Sequence, residues 1–301
     1  METAIATEEL GIDELAKLFS VSVVIPVYNE APALGKVLDD VKAAMERAGH
    51  PYEIVVVDDC STDGSGDIAL GRGVKVIRHP EQRGSGASRK TGTRAANGDV
   101  VVMLDADGTY PAAAIPEILA YFPAYDQVIG WRQKERGTHP ILRGFAKYLI
   151  RQLACYLTQK NIPDLNSGMK AFKRAPMLAY LHLLPDGFSC VTTMTLAFLC
   201  NGYSIRYHPI EYYARIGTSK FHPIKDTWAY LLTAIRMVMY FNPLRVFLPL
   251  SIAMIVLGAI KTVYDVWTFD MQQSDIVIFV SAVVILAMGL LADLIVVQGK
   301  R

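Results

Sequence analysis

Residues 99–107 read DVVVMLDAD, a short apolar run that ends in two aspartates, Asp105 and Asp107. An uninterrupted apolar run of this length is typical of a strand buried on both faces, so Asp99–Leu104 predicts a strand. Two carboxylates at i and i+2 after such a strand can bind a hard divalent cation, which stabilises a diphosphate leaving group. An acidic surface loop has the same composition, so the rest of the chain must decide between the two interpretations.

The preceding residues repeat this pattern of strand and helix. Val21–Val27, Glu53–Val57 and Val74–Ile77 predict strands, and the spacing of apolar residues predicts helices at Ala33–Ala48 and Ser85–Ala96. Such alternation indicates a doubly wound, mostly parallel α/β sheet. Ligands bind beyond the carboxyl ends of the strands in these sheets, where the second strand ends at Asp58-Asp59 and the fourth at Asp105-Asp107.

The middle of the chain continues the same architecture. Pro111–Tyr121 and Gly144–Gln159 predict helices, and Ile205–Tyr213 predicts a late strand. Residues 227–241 are amphipathic and rich in aromatic residues, which is typical of a helix at the membrane interface. A helix that packs on the core is the alternative for this stretch.

Two apolar segments, Leu244–Tyr264 and Ile276–Val297, are each long enough to cross a hydrocarbon core of about 30 Å. Two buried core helices are the alternative. The linker between them carries three aspartates and no Lys or Arg, whereas basic residues flank the pair: Arg236, Arg245, Lys300 and Arg301. The positive-inside rule therefore predicts an integral membrane protein with both termini and the N-terminal domain in the cytoplasm. The acidic N-terminus has no export signal, and the four cysteines form no CxxC pair.

Three motifs in a fixed order identify a family resemblance: VVIPVYNE at residues 23–30, VVVDDCSTDGS at residues 55–65, and the DAD of residues 105–107. Residues 20–225 resemble family 2 glycosyltransferases of the GT-A fold. The resemblance implies a UDP- or GDP-hexose donor, and Mg²⁺ or Mn²⁺ held by Asp105 and Asp107. It further implies that the nucleoside is bound by Pro26, Tyr28 and Glu30, with Asp58 or Asp59 accepting from a base N–H.

The glycine-rich segment RGSGASRKTG at residues 83–92 matches a segment that precedes the DxD in the same family. Its glycines allow a close approach of the backbone, and the helix start offers N–H groups to an anion. Arg89 and Lys90 are expected to add positive charge there.

Two later segments narrow the resemblance. DLNSGMK at residues 164–170 and RIGTSK at residues 215–220 resemble dolichol-phosphate mannose synthases and related polyprenyl-phosphate glycosyltransferases. By this resemblance, phosphate contacts are expected from Arg215, Ser219 and Lys220, and also from Arg132 and Arg143, for which a solvated surface arginine is the alternative. The chain departs from those synthases after the DxD, where Gly108 and Thr109 replace the usual Leu-Gln, so the third metal ligand is undefined.

The acceptor is inferred from an absent motif. Processive GT-A synthases that act on hydroxyls carry a T/E-D dyad and a Q-x-x-R-W motif, and this chain has neither. A hydroxyl acceptor needs a general base, whereas a phosphate monoester is already largely a dianion at neutral pH. The prediction is an inverting transfer of a hexose to undecaprenyl or dolichyl phosphate, for a cell-envelope glycan or protein glycosylation. The alternatives are a hydroxyl acceptor, with Asp164 or Asp186 as base, and an inactive membrane scaffold.

The expected organisation is a catalytic domain over residues 1–225, an interfacial helix over 226–243 and a transmembrane hairpin over 244–301. The net charge of +1 gives no basic field that would attract nucleic acid. The expected partners are the nucleotide sugar, the polyprenyl phosphate and the membrane, and a homo-oligomer is compatible with the sequence.

Overall fold

The computed structural model describes residues 19–133, 151–152, 155–156, 159–187, 189–215, 236, 239–240, 242–269 and 272–299. The strands within these ranges are β1 (Val21–Val27), β2 (Tyr52–Asp58), β3 (Lys75–Arg78), β4 (Val100–Met103), β5 (Gln127–Arg132), β6 (Lys170–Lys173) and β7 (Ile205–Ile210). The helices are α1 (Ala31–Ala48), α2 (Ser65–Gly71), α3 (Ser85–Ala95), α4 (Ile115–Leu119), α5 (Arg174–Tyr180), α6 (Cys190–Cys200), α7 (Leu244–Thr268) and α8 (Gln273–Gly299).

The strands form one mixed sheet in the order β3-β2-β1-β4-β6-β5-β7. The first four run parallel, β6 is antiparallel to both β4 and β5, and β7 is parallel to β5. The predicted doubly wound, mostly parallel sheet is thus confirmed.

This strand order places many loops at one edge of the sheet. The carboxyl ends of β1, β2 and β4 meet there because these strands are parallel. The reversed strand β6 brings its amino end to the same edge, since Met103 lies opposite Lys170. Strands β5 and β7 point the same way as β4, so the residues after Arg132 and Ile210 also reach this edge.

Helices cover both faces of the sheet. On one face, Val23 and Ile25 of β1 pack with Leu34 and Leu38 of α1. On the other face, Val24 joins a second cluster that includes residues of β2, β6 and α6. Because β1 is buried on both faces, its sequence is a continuous apolar run rather than an alternating one.

Two features differ from the sequence-based expectation. The predicted helix Pro111–Tyr121 consists of a 3-10 turn, Ala112–Ala114, followed by the short helix α4. Pro116 has no N–H to donate to the carbonyl group of Ala112, so the two turns cannot form one continuous α-helix.

The sequence did not indicate β5, β6, α5 or α6. The predicted helix at 144–159 and the amphipathic stretch at 227–241 lie largely outside the described residues.

Helices α7 and α8 pair along an apolar hairpin that matches the two predicted spans. Each is long and apolar enough to cross a membrane, and only 11% of the most apolar part of either helix is buried within the protein. Small residues let the helices approach closely, because Gly258 faces Phe279 and Gly289 faces Phe247. The Ser251 hydroxyl also donates a hydrogen bond of 2.9 Å to the carbonyl oxygen of Ala282.

An ionic cluster joins the two helices near the linker. The Lys261 ammonium group binds the carboxylates of Asp265 and Asp275, with a distance of 2.7 Å to Asp275 Oδ1. Both aspartates are buried. We did not expect Lys261 to take part, because it lies inside an apolar span. It supplies the positive charge that the acidic linker lacks.

The packing of α3 on β1 generates a prediction about Gly92. A Cβ atom at Gly92 would overlap Val24 Cγ1 in the buried sheet, whereas one at Gly71 would meet no atom within 4 Å. We expect Gly92→Ala to destabilise the fold by about 1–3 kcal/mol through overpacking. The matched control Gly71→Ala is expected to be neutral or slightly stabilising. Thermal unfolding in detergent measures both, and an unchanged midpoint for Gly92→Ala would show that the helix can shift freely.

Candidate functional site

Asp105 and Asp107, the acidic residues after β4, lie at the sheet edge where the carboxyl ends of β1, β2 and β4 meet. Asp107 is buried, and its carboxylate accepts hydrogen bonds from the Thr109 backbone N–H (3.1 Å) and hydroxyl (2.6 Å). Burial, and then the negative charge of Asp105, raise the pKa of Asp107, while Thr109 and Arg215 oppose the shift. The pair of carboxylates therefore needs a nearby cation in order to stay ionised together.

Arg89 of α3 supplies one such cation, to Asp105. Its guanidinium forms an ion pair with Asp105 and also donates to the carbonyl oxygen of Ser85 at 3.2 Å. Only 7% of the Arg89 side chain is exposed. The positive charge expected from Arg89 is thus directed at the carboxylate of Asp105 in this structure.

Gly168 allows the DLNSGMK segment to lie against Asp105. A Cβ atom at Gly168 would come within 2.5 Å of Asp105 Oδ2. The Gly168 N–H donates a hydrogen bond of 2.7 Å to the buried Tyr110 hydroxyl. A side chain at this position would displace the first aspartate of the DxD.

Arg215 supplies the second cation and connects two strand ends. Its guanidinium lies 2.5 Å from Glu30 Oε1, after β1, and 3.5 Å from Asp107 Oδ2, after β4. The structure thus brings together three residues that the sequence assigned to different tasks. Of the other expected phosphate contacts, Arg143, Ser219 and Lys220 lie outside the described residues, and only Arg132 lies within them.

The two aspartates that end β2 have different surroundings. Asp59 accepts hydrogen bonds from the backbone N–H groups of Arg83 (2.9 Å) and Gly84 (2.8 Å), and its Oδ1 lies 2.7 Å from His79 Nδ1. It therefore anchors the start of the glycine-rich segment. Asp58 accepts from the Ser61 N–H at 3.0 Å and lies 3.6 Å from the Arg78 guanidinium. Pro26 and Tyr28 are half-buried beside these residues at the end of β1.

His79 is a residue that sequence reasoning missed. It is buried one position after β3, and its other ring nitrogen lies 3.0 Å from the Thr91 hydroxyl of α3. Its position directly after a predicted strand is the same signal that marked the acidic residues, so the strand-end rule could have found it.

The glycine-rich segment is packed against the chain itself. The N–H groups of Gly86 and Ala87 donate to the carbonyl oxygen of Asp186, at 2.7 and 3.2 Å. Lys90 binds the Asp186 carboxylate at 2.5 Å and the Leu184 carbonyl oxygen at 2.9 Å. A Cβ atom at Gly86 would collide with the backbone of this loop. In this structure, then, a protein loop occupies the helix start that the sequence suggested for an anion.

Arg132 at the end of β5 forms a bidentate ion pair with Asp164, at 2.8 and 3.0 Å, and both side chains are about 90% buried. The Arg132 guanidinium also lies over the ring of Tyr212, 5.3 Å from its centroid. Burial opposes ionisation of Asp164, but the hydrogen bonds and charge of Arg132 outweigh it and lower the pKa of that carboxyl. Arg132 is therefore not a solvated surface arginine.

Lys170, the last residue of the DLNSGMK segment, is the largest fully buried side chain of the protein's described part. Its ammonium group donates to the Val191 carbonyl oxygen and the Thr195 hydroxyl of α6. Burial lowers the pKa of Lys170 to about 7, although the charge of Asp164 opposes this shift. The sequence could have drawn attention to Lys170 as the basic residue that ends the DLNSGMK motif. It gave no sign that α6 would bind its ammonium group.

The sequence profile of "Glycosyl transferase family 2" matches residues 22–179, which cover every strand from β1 to β6. The chain belongs to glycosyl transferase family 2. It is a glycosyltransferase, as the order of its three motifs predicted. A second profile, the "GtrB C-terminal hairpin", matches residues 242–297, which contain both apolar helices α7 and α8.

Named relatives of this family 2 enzyme cover most of its length. "Glycosyltransferase AglJ" of Haloferax volcanii is 29% identical over 92% of the chain and 93% of the relative. "Dolichyl-phosphate hexose transferase" of the same organism is 32% identical over 71% of the chain and 90% of the relative. Glucosyl-3-phosphoglycerate synthase of Mycobacterium tuberculosis, solved with Mn²⁺, UDP-glucose and phosphoglyceric acid, superposes with a TM-score of 0.61. That structure is 19% identical over 76% of the chain and 84% of its own, which shows a shared fold.

The burial of Lys170 predicts a pH-dependent stability. Its pKa of about 7 in the folded protein lies below the usual value of about 10.4, so the unfolded chain binds more protons between these values. Stability relative to Lys170→Met should therefore rise as the pH increases from about 7 to 10. Lys173→Met, which removes a partly exposed lysine paired with Asp126, is the control. Unfolding midpoints in metal-free detergent solution test this, and a constant difference between wild type and Lys170→Met across the range would contradict it.

Proposed function

We propose that this enzyme transfers a hexose from UDP- or GDP-hexose to a polyprenyl phosphate with inversion at the anomeric carbon. The names of the relatives support a lipid-phosphate acceptor, because a dolichyl-phosphate hexose transferase covers most of the catalytic domain. The hairpin supports it as well, since it keeps the catalytic domain beside the bilayer that holds the prenyl chain. Sharing one surface raises the effective concentration of the acceptor.

The observation that carries the choice of acceptor is the state of the two candidate bases. Asp164 is held in a buried bidentate ion pair with Arg132, which lowers its pKa and makes it a poor base. Asp186 is paired with Lys90. A hydroxyl acceptor would need one of these carboxylates to be available for its proton. A phosphate acceptor needs no base, so this arrangement favours it.

The donor would bind along the end of β1 and β2. Pro26 and Tyr28 are proposed to line the nucleoside, and Glu30 to bind the ribose. Asp58 is better placed than Asp59 to accept from a base N–H, because three donors already point at the Asp59 carboxylate. Lys90 would support the donor site indirectly, by holding the loop at Leu184 and Asp186 against the glycine-rich segment.

Asp105 and Asp107 are proposed to hold Mg²⁺ or Mn²⁺. Two carboxylates at positions i and i+2 after β4 provide the hard oxygen ligands that these cations prefer, and a site of this kind is completed by substrate phosphates and water. When bound, the cation neutralises charge on the departing diphosphate.

The reaction we propose is a single displacement. A phosphate oxygen of the acceptor attacks the anomeric carbon as the bond from that carbon to the donor diphosphate breaks, and the nucleoside diphosphate leaves. Arg215, Ser219 and Lys220, with Arg143, would hold the attacking phosphate in line. Arg132 would position Asp164 and Tyr212 rather than bind phosphate itself. Orientation of this kind is the main contribution that a protein makes to such a step.

A direct assay tests this proposal and its two rivals. Purified protein is incubated with a panel of nucleotide sugars, undecaprenyl or dolichyl phosphate and Mg²⁺ or Mn²⁺, and the lipid product is identified by mass. We expect a hexosyl-phospho-lipid from one donor, no product in EDTA, and at least a 100-fold loss for Asp107→Asn, because a neutral amide binds a hard cation poorly. Transfer only to a hydroxyl would support the first rival. No turnover of any donor would support an inactive scaffold.

We further propose that both termini and the catalytic domain face the cytoplasm. Arg236 and Arg245 are exposed on the catalytic-domain side of α7, whereas Asp265 and Asp275 lie at the linker side. Lys261 also lies at the linker side, but two carboxylates neutralise its charge. Basic residues therefore predominate at the catalytic-domain end of the hairpin, which the positive-inside rule assigns to the cytoplasm.

Cysteine labelling in intact cells tests this orientation. A membrane-impermeant maleimide should modify Asp270→Cys in the linker and should spare Glu2→Cys, because only the linker is expected outside. The wild-type protein, whose four cysteines precede the hairpin, serves as the unlabelled control. Modification of Glu2→Cys together with protection of Asp270→Cys would reverse the topology.

A further inference from the structure

The position of Arg215 is unusual for a phosphate-binding residue. It lies between two carboxylates on different strand ends, Glu30 at 2.5 Å and Asp107 at 3.5 Å. One of these is proposed to bind the ribose and the other the divalent cation. The positive charge of Arg215 therefore stands where the cation and donor are proposed to interact.

We infer that Arg215 is an exchangeable counter-ion of the donor site, which a divalent cation and the donor must displace before the acceptor phosphate can use it. This inference rests on the proposed function for the identity of the acceptor. Its first half, competition between Arg215 and the cation for Asp107, depends on the contacts of Arg215 and on the proposed metal site, but not on the identity of the acceptor.

The two arginines that contact the DxD carboxylates, Arg89 and Arg215, differ in burial and in how firmly they are held. Arg89 is almost completely buried, and α3 holds it through the Ser85 carbonyl oxygen. Arg215 has 30% of its side chain exposed, and its contact with Asp107 is long. Arg89 is thus a permanent partner of Asp105, whereas Arg215 can leave Asp107 without disturbing a packed helix.

A second observation shows that the present position of Arg215 is incompletely satisfied. Its Nε atom is buried and makes no hydrogen bond to any part of the chain that the structure describes. A buried donor without a partner costs free energy, so a conformation that gives Nε a partner is favoured once the carboxylates are taken over. A phosphate group, with several acceptor oxygens, offers such partners.

This exchange gives the substrates an order. Before the donor binds, Arg215 is committed to Glu30 and Asp107, so the acceptor phosphate lacks one of its cations. Once the cation and donor occupy those carboxylates, Arg215 is released toward the acceptor. The lipid phosphate is then bound tightly only when a sugar is ready to be transferred, and a random order of binding is disfavoured.

Manganese binding tests the competition without any need for turnover. Electron paramagnetic resonance measures free Mn²⁺ above the full-length protein in detergent, without nucleotide. We expect Arg215→Gln to bind Mn²⁺ about three- to tenfold more tightly than wild type, because an ion pair that competes for Asp107 is lost. Arg83→Gln removes an exposed charge from the rim of the same site and is expected to stay within about twofold. Equal or weaker binding by Arg215→Gln would overturn the inference.

A measurement on the wild-type protein keeps the inference testable if Arg215→Gln does not fold. Farnesyl phosphate, a short soluble analogue of the acceptor, should bind at least about fivefold more tightly in the presence of Mn²⁺ and UDP or GDP than in their absence. Equal affinity in both conditions would refute the ordered release of Arg215. Failure here leaves the transfer assay unaffected, so it is distinguishable from failure of the proposed function.

Discussion

The mutual repulsion of carboxylates at one edge of the sheet is the constraint on which the site depends. Parallel strands bring Glu30, Asp58, Asp59, Asp105 and Asp107 to the same edge, and four of these side chains are almost completely buried. Negative charges gathered at one buried edge repel one another unless cations compensate them. Arg89, Arg215 and Arg78 form ion pairs with these carboxylates, so the surrounding elements deliver positive charge to the edge, and His79 hydrogen-bonds Asp59.

The mixed direction of the strands contributes to this compensation. The reversed strand β6 brings the loop with Asp164 and Gly168 to the edge, and β5 brings Arg132 beside it. Strand β7 then carries the chain to Arg215. The parallel strands β1, β2 and β4 supply the acidic strand ends, whereas β5, β6 and β7 position many of the basic and aromatic side chains opposite them.

The sequence alone was sufficient for elements whose signal is local. β1, β2 and β4 are continuous apolar runs, and each is followed at once by the residues that mark the site, so both the fold and the acidic half of the site were predictable. β6 was not, since only four residues with lysine at both ends take part in the sheet. The partners of Lys170, Arg132 and Asp59 were also unpredictable, because those contacts join residues 20 to 32 positions apart through the folded sheet. The glycines at 84 and 86 were predicted to allow a close approach to an anion, and in the structure the backbone of the loop at Pro185 and Asp186 lies against them.

The charged cluster of Lys261, Asp265 and Asp275 has a mechanical consequence. Helices of 25 and 27 residues are roughly 37–40 Å long, which exceeds a hydrocarbon core of about 30 Å. Because charged groups are costly to draw into lipid, the cluster fixes the linker end of the hairpin near the far surface, and the excess length must be absorbed by tilt or by extension on the near side. The height of the near end of the hairpin above the bilayer then depends on bilayer thickness. A thicker membrane draws the catalytic domain down toward the head groups, and a thinner one lifts it, so lipid composition alone can change how far the acceptor must rise to react.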